Sequence, residues 1–504
     1  MALDYYMVMA NIFDEEIKPK EILKDLTKQE LRKLAKKDEI TSEFGSACYV
    51  TKIRSRSAKF TKIIYDEPTK EEAALIRQAL DYIKTKKMIV IERKMCLSSE
   101  INLLCRYYVT EDYARNAYMW HETLFDPTEK RNPDITVVSI PEWPERKVLV
   151  SPKFRKTFVF GSDYTGEIKK ANLRMGMYIA KQKGWLGLHA GSKIIRIKQG
   201  NNLKEKGILM FGLSGTGKTT LTCHHHYLEP PEGVAIRQDD VVFIKDNGYA
   251  IGTEDNFYMK TEGLSPKSDP LLYKVVTSPN AILENIWVEP SGHVDFLNYT
   301  HTSNGRAVVI RREMDYTDNS IDLPFANILI FIFRRNDIVP PVAKLTPEQG
   351  AAFFMLGESV ETSAGDPTQA GKSKRVVGTN PFIIGLEDEE GNRFLSLLQK
   401  HKDMEVYVMN TGRIGGENGE KITVLDTTTM IKEMARGNIE WQVDPDWHYL
   451  VPKAIPGINF ERFDPHHYYS LDEYKKRVQI LKKERITWLK GFNNLKPEIR
   501  DSLG

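Results

Sequence analysis

Residues 206–220 read KGILMFGLSGTGKTT: an apolar run enters a glycine-rich loop and continues into a segment compatible with a helix. The run Lys206–Gly212 predicts a buried strand, because apolar residues follow one another with little interruption. The residues from Gly212 to Thr219 fit the pattern G-x-x-x-x-G-K-[ST] of a phosphate-binding loop. The order strand, loop, helix therefore predicts an α/β fold built around a nucleotide site.

Each residue type in this loop has a chemical reason. Glycines reach positive φ, so that successive backbone N–H groups can face phosphate oxygens, and the following helix N-terminus adds a favourable dipole. Lys218 is expected to neutralise the β- and γ-phosphates, and the Thr219 hydroxyl to hold a divalent ion. The alternative, a glycine-rich turn with a chance lysine, fits the strand–loop–helix setting poorly. The loop predicts nucleotide binding and leaves the phosphoryl acceptor open.

A pair of carboxylates follows the next predicted strand. Asp239 and Asp240 lie 21 and 22 residues after Lys218, behind the strand that begins at Gly233. One of these carboxylates can approach the metal ion of a nucleotide, as in other phosphate-loop enzymes. Taken alone, two aspartates at a strand end are more typical of a solvated turn or a helix cap. The upstream loop favours the metal-binding interpretation.

The composition excludes several classes of protein. The 504 residues carry 72 Lys and Arg against 69 Asp and Glu, a net charge of 72 − 69 = +3. Such a balanced charge does not indicate a nucleic-acid-binding protein. Fifty aromatic residues (21 Phe, 7 Trp, 22 Tyr) exclude global disorder. The most apolar stretch, Phe325–Phe333, is nine residues long, about half of a membrane helix. We expect a buried strand there and no membrane partner.

The N-terminus and the cysteines indicate the compartment. The first residues, MALDYYMVMANIFDEE, show no secretory signal pattern. The four cysteines (Cys48, Cys96, Cys105 and Cys223) include no CxxC pair, and a core of this size needs no disulfides. We predict reduced structural thiols and a cytoplasmic location.

Changes in sequence texture predict the organisation of the chain. After Trp185 the pattern becomes strand, glycine-rich loop, helix and strand, which places a domain boundary near residues 184–195, between domains of residues 1–184 and 185–504. Residues 14–40 predict a solvated helix. Further helices are predicted to begin behind caps at Thr69, Thr346 and Ser470, each followed three residues later by Glu or Gln.

Other conspicuous residues have plain structural interpretations. The segment GSDYTGEIKK at residues 161–170 is, on its own, typical of a surface turn, and the lone His189 of a satisfied core histidine. Arg56 and Arg306 suit carboxylate or phosphate recognition, although scattered surface arginines are commoner. The run His224–His226 is not expected to bind a metal, because consecutive positions of a helix point about 100° apart.

The loop and its companions together resemble the ATP-type phosphoenolpyruvate carboxykinase family. The resemblance is carried by eight ordered segments between about residues 45 and 480: SDYTGEIKK, GLHAGS, GLSGTGKTTL, QDDVVF, EDNFYMK, VPPVAKLTPEQ, VMNTGRIGG and EKITVLDT. It implies conversion of oxaloacetate and ATP to phosphoenolpyruvate, CO2 and ADP. It also implies two α/β lobes, the N-terminal one for substrate and metal and the C-terminal one for nucleotide.

The resemblance implies a role for each matching residue. Lys170, His189 and Asp240 would ligate Mn2+, and Thr219 would meet the Mg2+ of the nucleotide. Oxaloacetate would be held by Arg56, Tyr164, Lys170 and Arg306, with Lys170, Lys218, Asp239 and Arg306 as the catalytic groups. ATP would contact Gly212, Leu213, Ser214, Gly215, Thr216, Gly217, Lys218, Thr219, Thr220, Asp269, Lys421, Ile422 and Thr427.

Several departures from the family pattern keep alternatives open. Ala58 stands where the family usually has proline, Asp255-Asn256 replace a Gly-Gly pair, and Lys421 replaces a base-contacting arginine. The metal and phosphate residues are intact. The alternatives are a kinase on the same scaffold with another small-molecule or protein acceptor, and a nucleotide-binding protein without turnover. ATP is expected rather than GTP; the oligomeric state stays open, with a monomer expected.

Overall fold

The structure of the chain is a computed structural model that describes residues 12–54, 58–213, 215–360 and 373–504. Contacts between Cα atoms divide the chain into two compact units. The first comprises Met1–Gln182 and Thr253–Met314, and the second Lys183–Gly252 and Asp315–Gly504. Within the described ranges, no helix is long and apolar enough to cross a membrane.

The largest sheet in the described part of the first unit is mixed and has seven strands. Its core side packs against the helix Lys70–Ile83 through apolar residues such as Ile76 and Leu149. In spatial order the strands are Glu21–Lys24, Lys87–Ser98, Ile101–Thr110, Ile135–Ile140, Lys156–Phe160, Lys147–Ser151 and Thr61–Ile63.

A second sheet of the first unit joins distant parts of the chain. Ala47–Tyr49 pairs in parallel with Ile282–Glu284, which is why residues 253–314 belong with the N-terminal segment. This grouping departs from the predicted continuous range 185–504, because Arg306, which lies in that range, belongs to the first unit. The order of the described strands is Phe257–Lys260, Arg306–Val309, Ile282–Glu284, Ala47–Tyr49 and Ile40–Thr41.

The second unit is built on a sheet with eight described strands. Three parallel neighbours form its centre: Asn202–Gly212, Ala326–Phe333 and Glu405–Asn410. The first two confirm the buried strands predicted from the apolar runs. The order is Gly233–Gln238, Ala190–Gln199, Asn202–Gly212, Ala326–Phe333, Glu405–Asn410, Val342–Leu345, Leu450–Ala454 and Glu440–Val443.

The remaining described elements are short strands and the helices. Leu186–Leu188, Val242–Ile244 and Ala250–Gly252 form a three-stranded sheet. Two-stranded pairs join Trp287–Val288 to Val294–Asp295, Glu358–Val360 to Ser373–Arg375, and Arg413–Ile414 to Glu420–Lys421. The α-helices are Lys28–Ala35, Lys70–Ile83, Ala114–His121, Thr165–Gln182, Lys218–Cys223, Pro270–Val276, Pro347–Leu356, Glu387–Lys400, Val424–Arg436, Leu471–Lys490 and Pro497–Arg500.

The predicted helix starts are confirmed, and one predicted helix is too long. Thr69 and Thr346 form capping boxes, and the Ser470 hydroxyl accepts from the backbone N–H three residues later. Residues 14–40 hold only the helix Lys28–Ala35, because the strand Glu21–Lys24 pairs with the seven-stranded sheet. The four cysteines are buried thiols, as predicted.

A buried cluster of charges lies in the second unit. The carboxylate of Glu358 accepts from the Arg485 guanidinium at 2.8 and 2.9 Å and from Arg375 Nη1 at 2.9 Å. Glu358 and Arg485 are fully buried. Burial alone would raise the pKa of Glu358, but Arg485, Arg335 and Arg375 outweigh it and hold that pKa below its usual range. The carboxylate therefore balances several arginine charges away from water.

Replacing Glu358 by Gln is expected to destabilise the chain by about 3–5 kcal/mol, because the buried guanidinium groups lose their counter-charge. Urea unfolding followed by circular dichroism measures the loss. The matched control is Glu484→Gln, since Glu484 also pairs with Arg375 but is partly exposed. That variant should cost less than about 1 kcal/mol; equal losses for the two would contradict the assignment.

Candidate active site

The phosphate loop connects a central strand to a short helix. The strand ends at Gly212, and the helix Lys218–Cys223 begins directly behind the loop. Gly215 and Gly217 have φ values of 86° and 93°, a region that favours glycine. Ser214 lies outside the described residues. The strand–loop–helix order predicted from the sequence is thus confirmed.

Close contacts hold the loop in one conformation. A Cβ added to Gly212 would lie 2.5 Å from Thr216 Oγ1 and 3.2 Å from the Ile332 carbonyl oxygen. The Thr216 hydroxyl donates to the Leu213 carbonyl at 2.8 Å. The Thr216 carbonyl accepts from the Thr411 hydroxyl, also at 2.8 Å. The loop therefore contacts the strand Ala326–Phe333 and the residue that follows the strand Glu405–Asn410, and only glycine fits at position 212.

Lys218, at the helix start, reaches the strand end that carries the two aspartates. Its Nζ donates to the Asp239 carbonyl at 3.1 Å and lies 3.4 Å from His189 Nε2. The side chains of Asp239 and Asp240 are largely buried. Thr219 follows in the first helical turn, half-buried. Segments about 20 to 50 residues apart in sequence thus meet around one ammonium group.

His189 and Asp240 form a pair with the chemistry of metal ligands. His189 Nδ1 lies 2.7 Å from the Thr379 carbonyl oxygen, to which it donates, so that Nε2 is the ring nitrogen beside Asp240. That nitrogen lies 3.1 Å from Asp240 Oδ1. Neighbouring ligands around an octahedral ion are separated by roughly 3 Å. A backbone carbonyl that orients the imidazole is also the usual partner of a metal-bound histidine. The pair therefore fits a divalent ion.

A cavity of about 240 Å³ lies beside the phosphate loop in the second unit. It brings together two segments of the predicted nucleotide site that are about 200 residues apart in sequence. Leu221, Ile422 and Val424 provide its apolar surface. The predicted residues among its lining are Thr216, Gly217, Thr220, Lys421, Ile422 and Thr427.

The sequence analysis did not select five of the residues that line this cavity. Arg334 and Thr411 are two of them. Each directly follows a parallel strand whose end lies level with Gly212, since Gly212 aligns with Ile332 and Phe333 with Asn410. Ligands of open α/β sheets bind at the carboxyl ends of parallel strands. That rule, applied to the apolar run before Arg334, could have identified it.

The first unit brings together two of the predicted substrate residues. Asn304 Nδ2 donates to the Tyr164 hydroxyl at 3.2 Å, while Asn304 Oδ1 accepts from Arg306 Nη2 at 2.9 Å. Asn304 also donates to the backbone carbonyl of Arg54 at 3.1 Å. Arg56 lies outside the described residues. Asn304, which the sequence analysis did not select, thus joins Tyr164 and Arg306.

Lys170 lies on the helix Thr165–Gln182, and the preceding interpretation of residues 161–170 as a surface turn is wrong. Nearly all of these residues are buried, and the backbone N–H of Thr165 donates to Glu284 Oε1 at 3.0 Å. Lys169 forms a buried ion pair with Glu254 at 2.9 Å, whereas Lys170 is half-buried. The segment is buried because its turn opens a helix that packs in the core of the unit.

The remaining predicted positions are distributed between the units. Asp269, expected beside the nucleotide, directly precedes the helix Pro270–Val276 in the first unit, and burial raises its pKa. Lys170 belongs to the first unit, and His189 and Asp240 to the second. A common metal site for these three residues stays a prediction.

Comparisons with known proteins agree on one family. A family model described as phosphoenolpyruvate carboxykinase matches residues 20–461. The chain is 34% identical over 456 residues to a phosphoenolpyruvate carboxykinase (ATP) of Aeropyrum pernix, covering 89% of this chain and 90% of that protein. Proteins of the same name from Alkaliphilus oremlandii and Staphylococcus aureus are 25% and 26% identical. They cover 96% and 82% of this chain and 97% and 80% of their own lengths.

Replacing Gly212 by Ala is expected to raise the Kd for ATP by at least about tenfold, because the new Cβ displaces Thr216 and the loop with it. Isothermal titration calorimetry measures this Kd without turnover. Gly233→Ala is the matched control, since a Cβ at Gly233 meets nothing within 4 Å. An ATP affinity unchanged in Gly212→Ala would contradict a phosphate-binding role for the loop.

Proposed function

This chain belongs to the ATP-type phosphoenolpyruvate carboxykinase family, and we propose that it converts oxaloacetate and ATP to phosphoenolpyruvate, CO2 and ADP. The observation that carries the proposal is the cavity in which the phosphate loop meets Lys421, Ile422 and Thr427. It offers ATP a phosphate cradle and a base pocket in one unit. The names of the relatives favour oxaloacetate over another acceptor.

The proposed reaction has two bond changes. The bond between the leaving carboxylate and its carbon breaks, and its electron pair passes to the enolate oxygen as CO2 departs. That oxygen then attacks the γ-phosphorus of ATP, and the bond to the β-phosphate oxygen breaks to release ADP. Both steps concentrate negative charge, so preorganised cations and excluded water lower their barriers.

Residues of this chain supply that stabilisation. Tyr164 and Arg306, joined by Asn304, bind and orient oxaloacetate together with Arg56 and Lys170. Lys218 neutralises the β- and γ-phosphates, supported by its bond to the Asp239 carbonyl. Arg306 also balances the charge of the transferring phosphoryl group. The first unit thus provides the substrate groups, and the second provides the nucleotide groups.

Two divalent ions complete the proposed site. His189 Nε2, Asp240 Oδ1 and the neutral amine of Lys170 would hold Mn2+, and Thr219 would meet the Mg2+ of ATP. The donor set fits, because His189 Nε2 and Asp240 Oδ1 lie 3.1 Å apart and the Thr379 carbonyl orients the imidazole through Nδ1. The ions supply Lewis acidity toward enolate and phosphate oxygens.

The cellular setting follows from the family and the sequence. We propose a cytoplasmic enzyme of gluconeogenesis that acts on a small molecule, without a nucleic-acid or membrane partner. The balanced charge of the chain supports this proposal. A monomer is the proposed state.

Phosphoenolpyruvate is expected to form from oxaloacetate only with ATP, Mg2+ and Mn2+ present, with one ADP formed for each phosphoenolpyruvate. A coupled assay for phosphoenolpyruvate and ADP measures this ratio. Lys218→Ala should lower kcat/KM by at least about a hundredfold, because phosphate charge loses its counter-ion. Lys198→Ala, at an exposed strand position, is the control.

A folded chain that binds ATP but forms no phosphoenolpyruvate would reject the proposed reaction. Transfer of the γ-phosphate to another acceptor, in competition with oxaloacetate, would then establish the alternative kinase. ATP binding without any transfer would establish the nucleotide-binding protein instead.

His189→Gln and Asp240→Asn are each expected to raise the Mn2+ concentration for half-maximal activity by about tenfold or more, because each removes one ligand. Electron paramagnetic resonance of free Mn2+ measures binding independently of turnover. His401→Gln is the control, since His401 is a half-buried histidine of the same unit that contacts Phe325 and the Asp246 carbonyl and is not one of the predicted metal ligands. Wild-type Mn2+ affinity in both ligand variants would remove them from the metal site.

A further inference from the structure

A fully buried lysine supports the helix that follows the phosphate loop. Lys193 lies on the strand Ala190–Gln199 with no exposed surface. Its Nζ donates to the carbonyl oxygens of Leu221 at 2.6 Å and His224 at 3.0 Å. These carbonyls lie at the C-terminal end of the helix Lys218–Cys223, where a positive charge is favourable. Lys193 thus contacts this helix at the opposite end from the phosphates.

His226 is the third partner of this ammonium group. Its Nε2 lies within hydrogen-bond distance of Lys193 Nζ, and its Nδ1 lies 3.1 Å from the Thr428 carbonyl oxygen. Because a carbonyl oxygen can only accept, Nδ1–H donates to Thr428, and Nε2 of the neutral ring accepts from Lys193. Burial and the charge of Lys193 lower the pKa of His226 well below its usual value, in agreement with a neutral ring. Burial also lowers the pKa of Lys193 to about 7.

The backbone of the histidine run makes this contact possible. The sequence analysis treated His224–His226 as consecutive helical positions, which is wrong because the helix ends at Cys223 and His224 is extended. His226 has a φ of 58°, in the left-handed region, and its N–H donates to His224 Nδ1 at 2.8 Å. This turn directs the His226 side chain into the core, where it is fully buried.

The chain of hydrogen bonds joins two walls of the nucleotide cavity. At one end, Leu221 itself lines the cavity next to Thr220. At the other end, Thr428 lies in the helix Val424–Arg436. Its neighbour Thr427 also lines the cavity. We propose that Lys193 and His226 are positioning residues, which hold these two helices at the separation that ATP binding requires. The inference rests on the proposed function only in taking ATP as the occupant of the cavity.

A purely structural role would give a different result. A methionine at position 193 can fill the space without the three hydrogen bonds. It removes the cost of burying a charge but leaves three acceptors without their donor, two opposing effects on stability. The stability and the ATP affinity of the variant can then be measured separately, and the affinity reports the position of the two helices.

Lys193→Met and His226→Leu are each expected to raise the Kd for ATP about tenfold, with the KM for oxaloacetate changed less than twofold. Because both remove the same connection, the double variant should also show about a tenfold change rather than a hundredfold one. His226→Gln keeps one acceptor and one donor, and it should return the Kd to within about threefold of wild type. Calorimetric titration with ATP and steady-state kinetics provide the two readouts.

Lys198→Met is the matched control, because Lys198 is an exposed lysine on the same strand. A Kd changed less than twofold in folded Lys193→Met and His226→Leu overturns the inference, as does failure of both to fold, which would indicate a structural role. If only one folds, its Kd decides. A wild-type chain that binds ATP without converting oxaloacetate rejects the proposed function and leaves this inference standing.

Discussion

The proposed nucleotide site depends on one constraint, the parallel pairing of three strands. Asn202–Gly212 pairs with Ala326–Phe333, which in turn pairs with Glu405–Asn410. Parallel strands in register end at one edge, so the phosphate loop, Arg334 and Thr411 emerge side by side. The close approach of Gly212 to the Ile332 carbonyl is a direct result of that register. A shift by one residue would turn every side chain of a strand to its other face and separate these groups.

Local signals in the sequence predicted much of the fold. The caps at Thr69, Thr346 and Ser470 and the apolar run ending at Phe333 depend on neighbours within a few residues, and each is confirmed. The grouping of residues 253–314 with the first unit could not be predicted in this way. It follows from the pairing of Ala47–Tyr49 with Ile282–Glu284. No local sequence pattern predicts which distant strand a given strand pairs with.

The site shows the same division between local and distant information. Motif spacing identified the phosphate loop and the aspartates, and family resemblance identified Lys421 and Thr427. The sequence analysis did not select Asn304 and Lys193, because their hydrogen-bond partners are distant in sequence and come close only in the fold. The buried position of Tyr164 was also missed, because a glycine-flanked polar segment is typical of a surface turn. The hydrogen bond from the Thr165 N–H to Glu284, which holds the helix start in the core, is not visible in the sequence. Sequence reasoning thus selects residues that belong to a motif more readily than residues that contact those motifs through the fold.

The way residues 253–314 complete the first unit also sets an order of events during synthesis. Ala47 can pair with Ile282 only after Ile282 has been synthesised, and Ile282 lies 282 − 47 = 235 residues further along the chain. At ribosomal rates of roughly 5–20 residues per second, this delay is on the order of ten to fifty seconds. During that time residues 183–252, which belong to the other unit, have already emerged. The nascent chain therefore carries an unpaired strand edge past the start of its second unit, a stage at which chaperone binding would be most useful.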